Sequence, residues 1–516
     1  MRTAVELIAG DLRRVSTAGL SASQGALTAV QKSAEGIVGM TPKARTVERV
    51  SRTVCLMSAK RQNNQLRLAF DTREASEARR DVDEGTEART TTTGDERPAS
   101  GTLMEEVCAR ENLKQALRRV RGNKGSAGVD GMTVEQLPAY LKEHWSALRA
   151  QLLGGTYHPQ PVRRVEIPKP DGGVRNLGIP TALDRFIQQA VLQVLQRDWD
   201  ATFSAHSYGF RPKRSAHQAV AQAQRYIADG YRWVVDLDLE KFFDRVNHDA
   251  LMGRVAKRVA DTRVRRLIRG FLNAGVMEHG LVSPTDEGTP QGGPLSPLLS
   301  NVVLDDLDRE LERRGHRFVR YADDCNIYVR SRRAGQRVMD TIVPFITTRL
   351  KLRVNRDKSA VARPAARKFL GFSFTAGLTP KRRIAPKAVG RFTARIRGLT
   401  RRTRGVSLTQ MTQELATYLT GWRGYFGYCE TPSVLRDLDS WVHRRLRSVV
   451  WKQWKRGPRR FAELRHRGVG VDLAAQTAGS PHGPWRLSRS PALNIALPGR
   501  YFDSLGLPRL SERPTA

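Results

Sequence analysis

The decisive stretch of this sequence is Phe318-Val-Arg-Tyr-Ala-Asp-Asp-Cys-Asn-Ile-Tyr-Val329. Its apolar and β-branched arms, on either side of a short Ala-Asp-Asp corner, predict a β-hairpin with Asp323 and Asp324 at the tip. Adjacent carboxylates at a rigid strand end suit hard cations such as Mg²⁺, which indicates phosphoryl chemistry. The alternative is a solvated acidic turn, because Asp is common in turns, and a third carboxylate from another segment would decide between the two.

A third carboxylate occurs upstream, in Trp233-Val-Val-Asp-Leu-Asp-Leu239. The alternation predicts a strand with Asp236 and Asp238 on one face and apolar side chains on the other. Carboxylates on an otherwise buried strand cost free energy unless a cation compensates their charge. The two segments together therefore predict a metal site.

The chain of 516 residues carries 88 Lys and Arg against 51 Asp and Glu, a formal net charge of +37. Such an excess predicts binding to polyanions through counterion release. The hydrophobic share of 40% suffices for packed cores, and the length predicts about three domains. No apolar run approaches the roughly 18 residues of a membrane span, so nucleic acid is favoured over a membrane as the partner.

The four cysteines lie far apart and form no Cys-x-x-Cys pair. This argues against a zinc ribbon, a nuclease module built on paired cysteines, or a disulfide framework, and it fits the reducing cytoplasm. An organellar presequence is the alternative for the N-terminus, but Glu6 and Asp11 interrupt it. Residues 71–100 have so few large apolar side chains that they are predicted to form a poorly ordered linker.

A second hairpin is predicted between residues 157 and 181, with strands at 162–167 and 174–179 around an Asp-Gly-Gly turn. Lys169 and Arg175 flank that turn, so both can reach one anion, and a triphosphate would suit the pair. Two solvated surface cations are the alternative.

A Gly- and Pro-rich loop runs into a predicted helix in Gly288-Thr-Pro-Gln-Gly-Gly-Pro-Leu-Ser-Pro-Leu-Leu-Ser-Asn301. The bare backbone at Gly292 and Gly293 allows another chain, such as a template strand, to approach closely. A simple tight connection within the protein would have the same pattern.

Composition changes after Lys381, where a segment rich in Arg, Lys, Gly and Thr leads to an apolar stripe at helical spacing from Leu408 to Trp422. Aromatic residues then alternate with arginines as far as Arg460. Such surfaces stack on unpaired bases and neutralise phosphates, which predicts RNA binding. The alternative is that the Trp residues are core and the Arg residues merely solvated, and we expect both in part. Residues 461–516 are basic, with little periodicity, and are predicted to be rich in loops.

With these residues in place, the chain resembles bacterial group II intron-encoded reverse transcriptase/maturases. Any one matching block is a weak signal, but seven in one order, over roughly residues 103 to 510, are specific. The blocks are Ile-Pro-Lys-Pro-Asp-Gly-Gly-Val-Arg-Asn-Leu-Gly-Ile-Pro-Thr, Ser-Tyr-Gly-Phe-Arg-Pro, Asp-Leu-Glu-Lys-Phe-Phe-Asp, the Gly/Pro loop given above, Arg-Tyr-Ala-Asp-Asp, Phe-Leu-Gly-Phe and Gly-Trp-Arg-Gly-Tyr-Phe.

The resemblance implies an α+β fold of the right-hand polymerase type, in which fingers and a palm with an antiparallel sheet precede an α-helical thumb/maturase domain. The implied boundaries are a poorly ordered extension at 1–100, fingers at 101–232, palm at 233–378, the helical thumb and intron-binding maturase domain at 379–460, and a basic DNA-binding region at 461–516. The lack of a paired-cysteine nuclease resembles the endonuclease-lacking subgroup.

The resemblance also implies roles for single residues in the palm. Asp238 and Asp323 would ligate two Mg²⁺ ions, assisted by the Leu239 carbonyl and with Asp324 beside them. Such ions activate the primer 3′-hydroxyl and neutralise the leaving pyrophosphate. Asp236 matches no catalytic position in the family and is expected to support its neighbours or to be exposed.

The dNTP-binding residues implied in the same way are Lys169 and Arg175 on the triphosphate, Phe243 as a barrier to a 2′-hydroxyl, and Gln291 near the nascent base pair. The candidate RNA-binding residues lie in the helical thumb/maturase domain: Arg401, Arg402, Arg404, Trp422, Arg423, Tyr425, Arg444 and Arg445.

The implied function is an RNA-directed DNA polymerase that also binds its own group II intron RNA, assists its splicing and supports intron mobility. Its expected partners are the intron RNA, an RNA template with a DNA primer, target DNA and dNTPs, in a cytoplasmic ribonucleoprotein. The alternatives are a retron- or defence-type reverse transcriptase, and a splicing-only RNA-binding protein with an inactive polymerase site.

Overall fold

A computed structural model describes residues 103–168, 174–278, 281–284, 287–289 and 292–512, except for the side chain of Arg175. The predicted N-terminal linker lies outside the described residues. In chain order, the elements of the first part are α1 (Leu103–Val107), α2 (Arg110–Gly122), α3 (Leu137–Gly154), β1 (Val162–Pro168), β2 (Val174–Ile179), α4 (Ala182–Asp200), α5 (Ala216–Ala228), β3 (Trp233–Leu237), α6 (His248–Ala256), α7 (Thr262–Asn273), β4 (Val276–Glu278) and β5 (Leu281–Ser283).

The second part of the chain supplies two more strands of the central sheet and then becomes largely helical. Its elements are α8 (Ser296–Arg313), β6 (Arg317–Tyr321), β7 (Asp324–Val329), α9 (Arg332–Thr348), β8 (Ala360–Ala362), β9 (Phe372–Phe374), β10 (Arg382–Ile384), α10 (Pro386–Leu399), α11 (Leu408–Phe426), α12 (Pro432–Gln453), α13 (Gly457–His466), α14 (Val471–Ala478), α15 (Pro484–Leu487), α16 (Pro491–Ala496) and α17 (Gly499–Ser504).

A four-stranded antiparallel sheet in the order β6-β7-β3-β8, here called the central sheet, lies in the segment expected to form the palm. The predicted hairpin is confirmed, since β6 pairs with β7 and Tyr321 faces Asp324 across a tight turn. Ala322 in that turn has a φ of 57°. Positive φ is uncommon outside glycine, so the surrounding structure must hold this turn in place.

A second four-stranded sheet, in the order β2-β1-β4-β5, carries the other predicted hairpin. Strands β1 and β2 pair antiparallel, as the sequence predicts, while β1 and β4 run parallel. Between residues 351 and 359, Val354 forms an isolated bridge with Leu239 and no regular strand is present. In the central sheet, β8 pairs with β3 on the side away from β7.

The helical part of the chain, here called the helical module, has its own hydrophobic core, which runs from Ile384 to Leu510. Residues after 460 share this core, since Leu464, Leu493 and Phe502 are fully buried in it. The loop-rich tail expected from the sequence is therefore wrong: this region consists of short helices. Helices of four to ten residues are too short for a periodic apolar pattern to show.

None of the helices in the described part of the chain is both long and apolar enough to cross a membrane.

Candidate functional site

A buried arginine behind the Asp323 turn holds that turn in place. The Arg320 side chain is fully buried, and its Nε and Nη2 atoms donate to the two carboxylate oxygens of Asp308 at 2.7 and 2.5 Å. Its Nη1 atom donates to Asn301 Oδ1 at 3.0 Å and to the carbonyl oxygen of Ala322 at 2.9 Å. The guanidinium thus fixes the backbone at Ala322, the residue directly before Asp323.

The Ser-Tyr-Gly-Phe-Arg-Pro block packs against the same turn from the other side. A Cβ atom on Gly209 would lie 2.2 Å from the backbone nitrogen of Ala322, so only glycine fits there. The Gly209 carbonyl accepts a hydrogen bond from Asn301 Nδ2 at 2.9 Å, and Ser207 Oγ accepts one from Arg320 at 2.8 Å. In the sequence this block contributed only to the family resemblance, whereas the structure gives it a positioning role.

Strand register brings the upstream carboxylate to the hairpin. Leu237 of β3 pairs with Cys325 of β7, so Asp238 follows that pair and Asp324 precedes it on the neighbouring antiparallel strand. Residues opposite each other in this way have Cα atoms about 5 Å apart. Ser359 Oγ accepts a hydrogen bond from the Asp238 N–H at 3.0 Å, which fixes the end of β3. Asp238, Asp323 and Asp324 therefore lie at one end of one sheet.

The carboxylates affect one another electrostatically. Partial loss of hydration, together with the negative charges of Asp323, Asp236 and Asp238, raises the pKa of Asp324 to about 7. Burial also raises the pKa of Asp236, although this side chain forms an ion pair with Arg367 at 2.6 Å. Asp236 is therefore engaged with Arg367, and a supporting role beside Asp238 stays a prediction.

The donor set at this sheet end suits magnesium. Within the residues that the structure describes, no three His, Cys, Asp or Glu side chains are already gathered as a metal cluster. Asp238, Asp323 and Asp324 offer oxygen atoms, which Mg²⁺ prefers. Burial, and after it the neighbouring negative charges, raise the pKa of Asp324, and a bound cation would offset that repulsion. The Lys358 ammonium nitrogen lies 3.8 Å from Asp238 Oδ2, so a positive charge is already accommodated beside this carboxylate.

Phe243 lies in a short 3-10 turn, Phe242–Asp244, a few residues beyond the end of β3. Its ring packs edge-on against that of Phe242 at 5.2 Å, and its carbonyl oxygen accepts a hydrogen bond from the Thr289 N–H at 2.6 Å. The Gly/Pro loop is thus tied to the turn that carries Phe243. The other expected dNTP contacts, Lys169, Gln291 and the side chain of Arg175, lie outside the described residues.

The two glycines of the Gly/Pro loop pack against the protein itself. A Cβ atom on Gly292 would lie 2.1 Å from the Gly178 carbonyl oxygen, and one on Gly293 would lie 2.2 Å from Gln188 Oε1. Of the two interpretations of this loop, the structure favours the tight internal connection to β2 and α4.

The candidate RNA-binding residues have different surroundings. Arg401 and Arg402 are exposed between α10 and α11, whereas Arg404 forms an ion pair with Glu414 at 2.8 Å. Trp422 packs in the core against Phe392, with ring centroids 4.5 Å apart. The remaining four donate hydrogen bonds to protein oxygens: Arg423 to Leu510, Tyr425 to Leu370, Arg444 to Trp485 and Arg445 to Thr400.

Two family models match the chain over separate segments. Residues 167–374 match the reverse transcriptase (RNA-dependent DNA polymerase) family. Residues 389–468 match the group II intron maturase-specific domain. The first segment contains the whole central sheet with its carboxylates, and the second contains α11 and α12.

Curated relatives cover different shares of the chain. YkfC of Escherichia coli is 34% identical over 299 residues, which is 50% of this chain and 78% of YkfC. The group II intron-encoded protein LtrA of Lactococcus lactis subsp. cremoris is 39% identical over 195 residues, which is 38% of this chain but only 32% of LtrA. A solved telomerase from Candida albicans covers 60% of this chain and 63% of its own at 13% identity, with a TM-score of 0.36 that is too low to support an argument.

Proposed function

The chain belongs to the bacterial group II intron-encoded reverse transcriptase/maturases, and we propose that it copies RNA into DNA at the end of the central sheet where Asp238, Asp323 and Asp324 lie. The family match also confirms the predicted fold class, a right-hand polymerase followed by a helical thumb/maturase domain. The observation that carries the proposal is the register between β3 and β7, which makes neighbours of carboxylates from two distant segments.

In this proposal, Asp238 and Asp323 hold two magnesium ions, with the Leu239 carbonyl and Asp324 beside them. When bound, the ions lower the pKa of the primer 3′-hydroxyl and neutralise charge on the leaving pyrophosphate. Arg320 fixes the position of the Asp323 turn through its hydrogen bond to the Ala322 carbonyl. Such positioning matters because an error of about 1 Å can cost a hundredfold in rate.

The incoming nucleotide is proposed to lie against Phe243, whose ring leaves no space for a 2′-hydroxyl. The bond between the Phe243 carbonyl and the Thr289 N–H links this barrier to the loop that contains Gln291. Lys169 and Arg175 are proposed to bind the triphosphate from the β1–β2 hairpin.

The proposed domain assignment keeps the fingers at 101–232, the palm at 233–378, the thumb and maturase domain at 379–460 and DNA binding at 461–516. The maturase domain is proposed to bind the group II intron RNA and assist its splicing, within a cytoplasmic ribonucleoprotein that also acts on target DNA. The net charge of +37 supports a polyanionic partner of this kind. Arg401 and Arg402 are the candidate RNA contacts most open to solvent.

Two rival functions are less well supported. A retron- or defence-type enzyme needs no intron-binding module, yet residues 389–468 match the maturase-specific domain. A splicing-only protein needs no such carboxylates, yet Asp238, Asp323 and Asp324 lie at the same end of the central sheet.

Incorporation of dNTPs on an RNA template with a DNA primer tests the proposal, with Asp323→Ala run beside the unaltered chain. We expect the substitution to abolish primer extension and leave RNA affinity and assisted splicing nearly intact. Asp357→Ala is the control, because Asp357 is an exposed carboxylate in a nearby turn. Equal loss of extension and splicing in the Asp323 variant would contradict the proposed division between palm and helical module.

A further inference from the structure

A cavity of about 350 Å³ opens in the helical module between α12 and the segment that contains α15 and α16. It is lined by Ser440, Trp441, Arg444, Arg447, Arg489 and Asn494. The cavity therefore joins the region matched as maturase-specific to the basic region that follows it. Its size suits one nucleotide unit rather than a duplex, since small-ligand pockets begin at roughly 300 Å³.

The three arginines of this cavity have only neutral partners among the residues that the structure describes. Arg444 donates to Ser488 Oγ at 3.3 Å and to the Trp485 carbonyl at 3.2 Å, with its guanidinium carbon 3.8 Å from the centre of the Trp485 ring. Arg447 donates to the Leu497 carbonyl at 2.9 Å. Arg489 is exposed.

The nearest carboxylate along α12 is occupied elsewhere. Asp439 accepts hydrogen bonds from the backbone N–H groups of Leu510 and Ser511 at 2.8 and 2.9 Å. Burial lowers the pKa of Arg447, and burial together with the charge of Arg489 lowers that of Arg444. Three guanidinium groups thus share one cavity with no anion from the described chain, an arrangement that a bound anion stabilises.

We propose that this cavity binds a phosphodiester of single-stranded nucleic acid, with Arg444, Arg447 and Arg489 on the phosphate and Trp441 beside the adjoining sugar or base. Two arginines are already oriented by hydrogen bonds to protein oxygens, so little side-chain entropy is lost when they bind. The half-buried Trp441 ring favours an unpaired strand, because base stacking on an aromatic ring requires a splayed base. The inference deepens the proposed function and rests on it, because it names one nucleic-acid contact of the helical module.

The test compares two arginines three residues apart in the sequence, Arg486 and Arg489. Arg489 lines the cavity, whereas Arg486, which is also exposed in the same segment, does not. Binding of a short single-stranded RNA, and of DNA of the same sequence, is measured by fluorescence anisotropy at several salt concentrations for Arg489→Gln and Arg486→Gln. Thermal unfolding verifies that both variants fold.

We expect Arg489→Gln to weaken RNA binding roughly threefold to tenfold at moderate salt, as loss of one charge-assisted contact should. The log–log dependence of affinity on salt should become shallower by about 0.7, the contribution of one phosphate on a single strand. Arg486→Gln should change neither quantity. An equal loss with RNA and DNA assigns the site to the phosphodiester alone, and a loss only with RNA adds recognition of the ribose.

The cavity assignment is overturned if the two variants bind with the same affinity and the same salt dependence. Primer extension on an RNA template by the unaltered chain and by Arg486→Gln is measured in the same preparations. If the chain extends the primer but Arg489→Gln binds RNA as Arg486→Gln does, the cavity assignment is rejected and the proposed polymerase activity is retained. No extension by the unaltered chain would instead reject the proposed function.

Discussion

The guanidinium of Arg320 and the carboxylate of Asp308 form a fully buried ion pair with two hydrogen bonds, directly behind the turn that carries Asp323. Asp308 lies in α8 and Arg320 in β6, so the pair fastens a helix to the strand of the candidate active site. Removing one partner leaves a buried charge without compensation, which is costly.

We therefore predict that Asp308→Asn destabilises the palm by about 3 to 5 kcal/mol and lowers primer extension. The matched control is Asp306→Asn on the same helix, which removes a partly exposed pair with Arg254 and should cost less than about 1 kcal/mol. Thermal and denaturant unfolding, followed by fluorescence, measure both. Similar stability of the two variants would show that the buried pair does not hold the hairpin.

The proposed metal site predicts opposite effects for two neighbouring side chains. Asp238→Asn removes a negative ligand and should raise the Mg²⁺ concentration needed for half-maximal extension roughly tenfold or more. Lys358→Ala removes an ammonium 3.8 Å from Asp238 Oδ2 and should lower that concentration. In thermal unfolding, added Mg²⁺ should stabilise Asp238→Asn less, and Lys358→Ala more, than the unaltered chain. If Asp238→Asn responds to Mg²⁺ as the unaltered chain does, Asp238 is not part of the metal site.

Phe243→Ala is predicted to admit ribonucleotides, because the ring proposed to exclude the 2′-hydroxyl is gone. Discrimination between dNTPs and NTPs should fall on the order of tenfold or more, measured as the ratio of kcat/KM values. Phe242→Ala is the contrasting variant: this fully packed ring should cost about 3 to 5 kcal/mol of stability with little effect on sugar choice. Unchanged discrimination in the Phe243 variant would exclude it as the barrier.

Sequence patterns predicted the parts of the site that depend on local alternation. The period of two in β3, β6 and β7 gave the strands, and the Ala-Asp-Asp corner gave the hairpin turn. The sequence also grouped Asp238 with the hairpin carboxylates, because a carboxylate in an otherwise apolar strand needs a compensating cation. The contacts of Gly209 with Ala322 and of Arg320 with Asp308 could not be predicted, because they join segments whose separation in sequence carries no periodic signal.

The helical module shows where composition misleads. Trp422 is among the RNA-binding candidates that the sequence suggests, yet it packs inside the core. Its place in the apolar stripe from Leu408 to Trp422 was the feature of the sequence that indicated burial. In the α12 cavity, Arg444 and Arg447 come from α12 itself, whereas Arg489 lies between the short helices α15 and α16, in a region that the sequence predicts to be rich in loops. No pattern in the sequence therefore placed Arg489 beside Arg444.

Acid sensitivity is predicted at the contact between α5 and the helical module. His217 of α5 stacks on the rings of Tyr425 and Tyr428, and its Nε2–H donates to the Tyr425 carbonyl at 2.8 Å. Burial lowers the pKa of His217, and the charge of Arg382 lowers it further, so the folded state disfavours the protonated ring.

The sign of this effect follows from proton linkage. Above the unfolded-state pKa of about 6.5, His217 is neutral in both states and contributes no pH dependence. As the pH falls below that value, the unfolded chain binds the proton first, so stability decreases down to the lowered pKa of the folded state. His217→Gln should therefore flatten the loss of thermal stability below about pH 6.5, whereas His482→Gln, at an exposed site, should leave it unchanged. Identical pH profiles for the two variants would show that protonation of His217 does not weaken the contact.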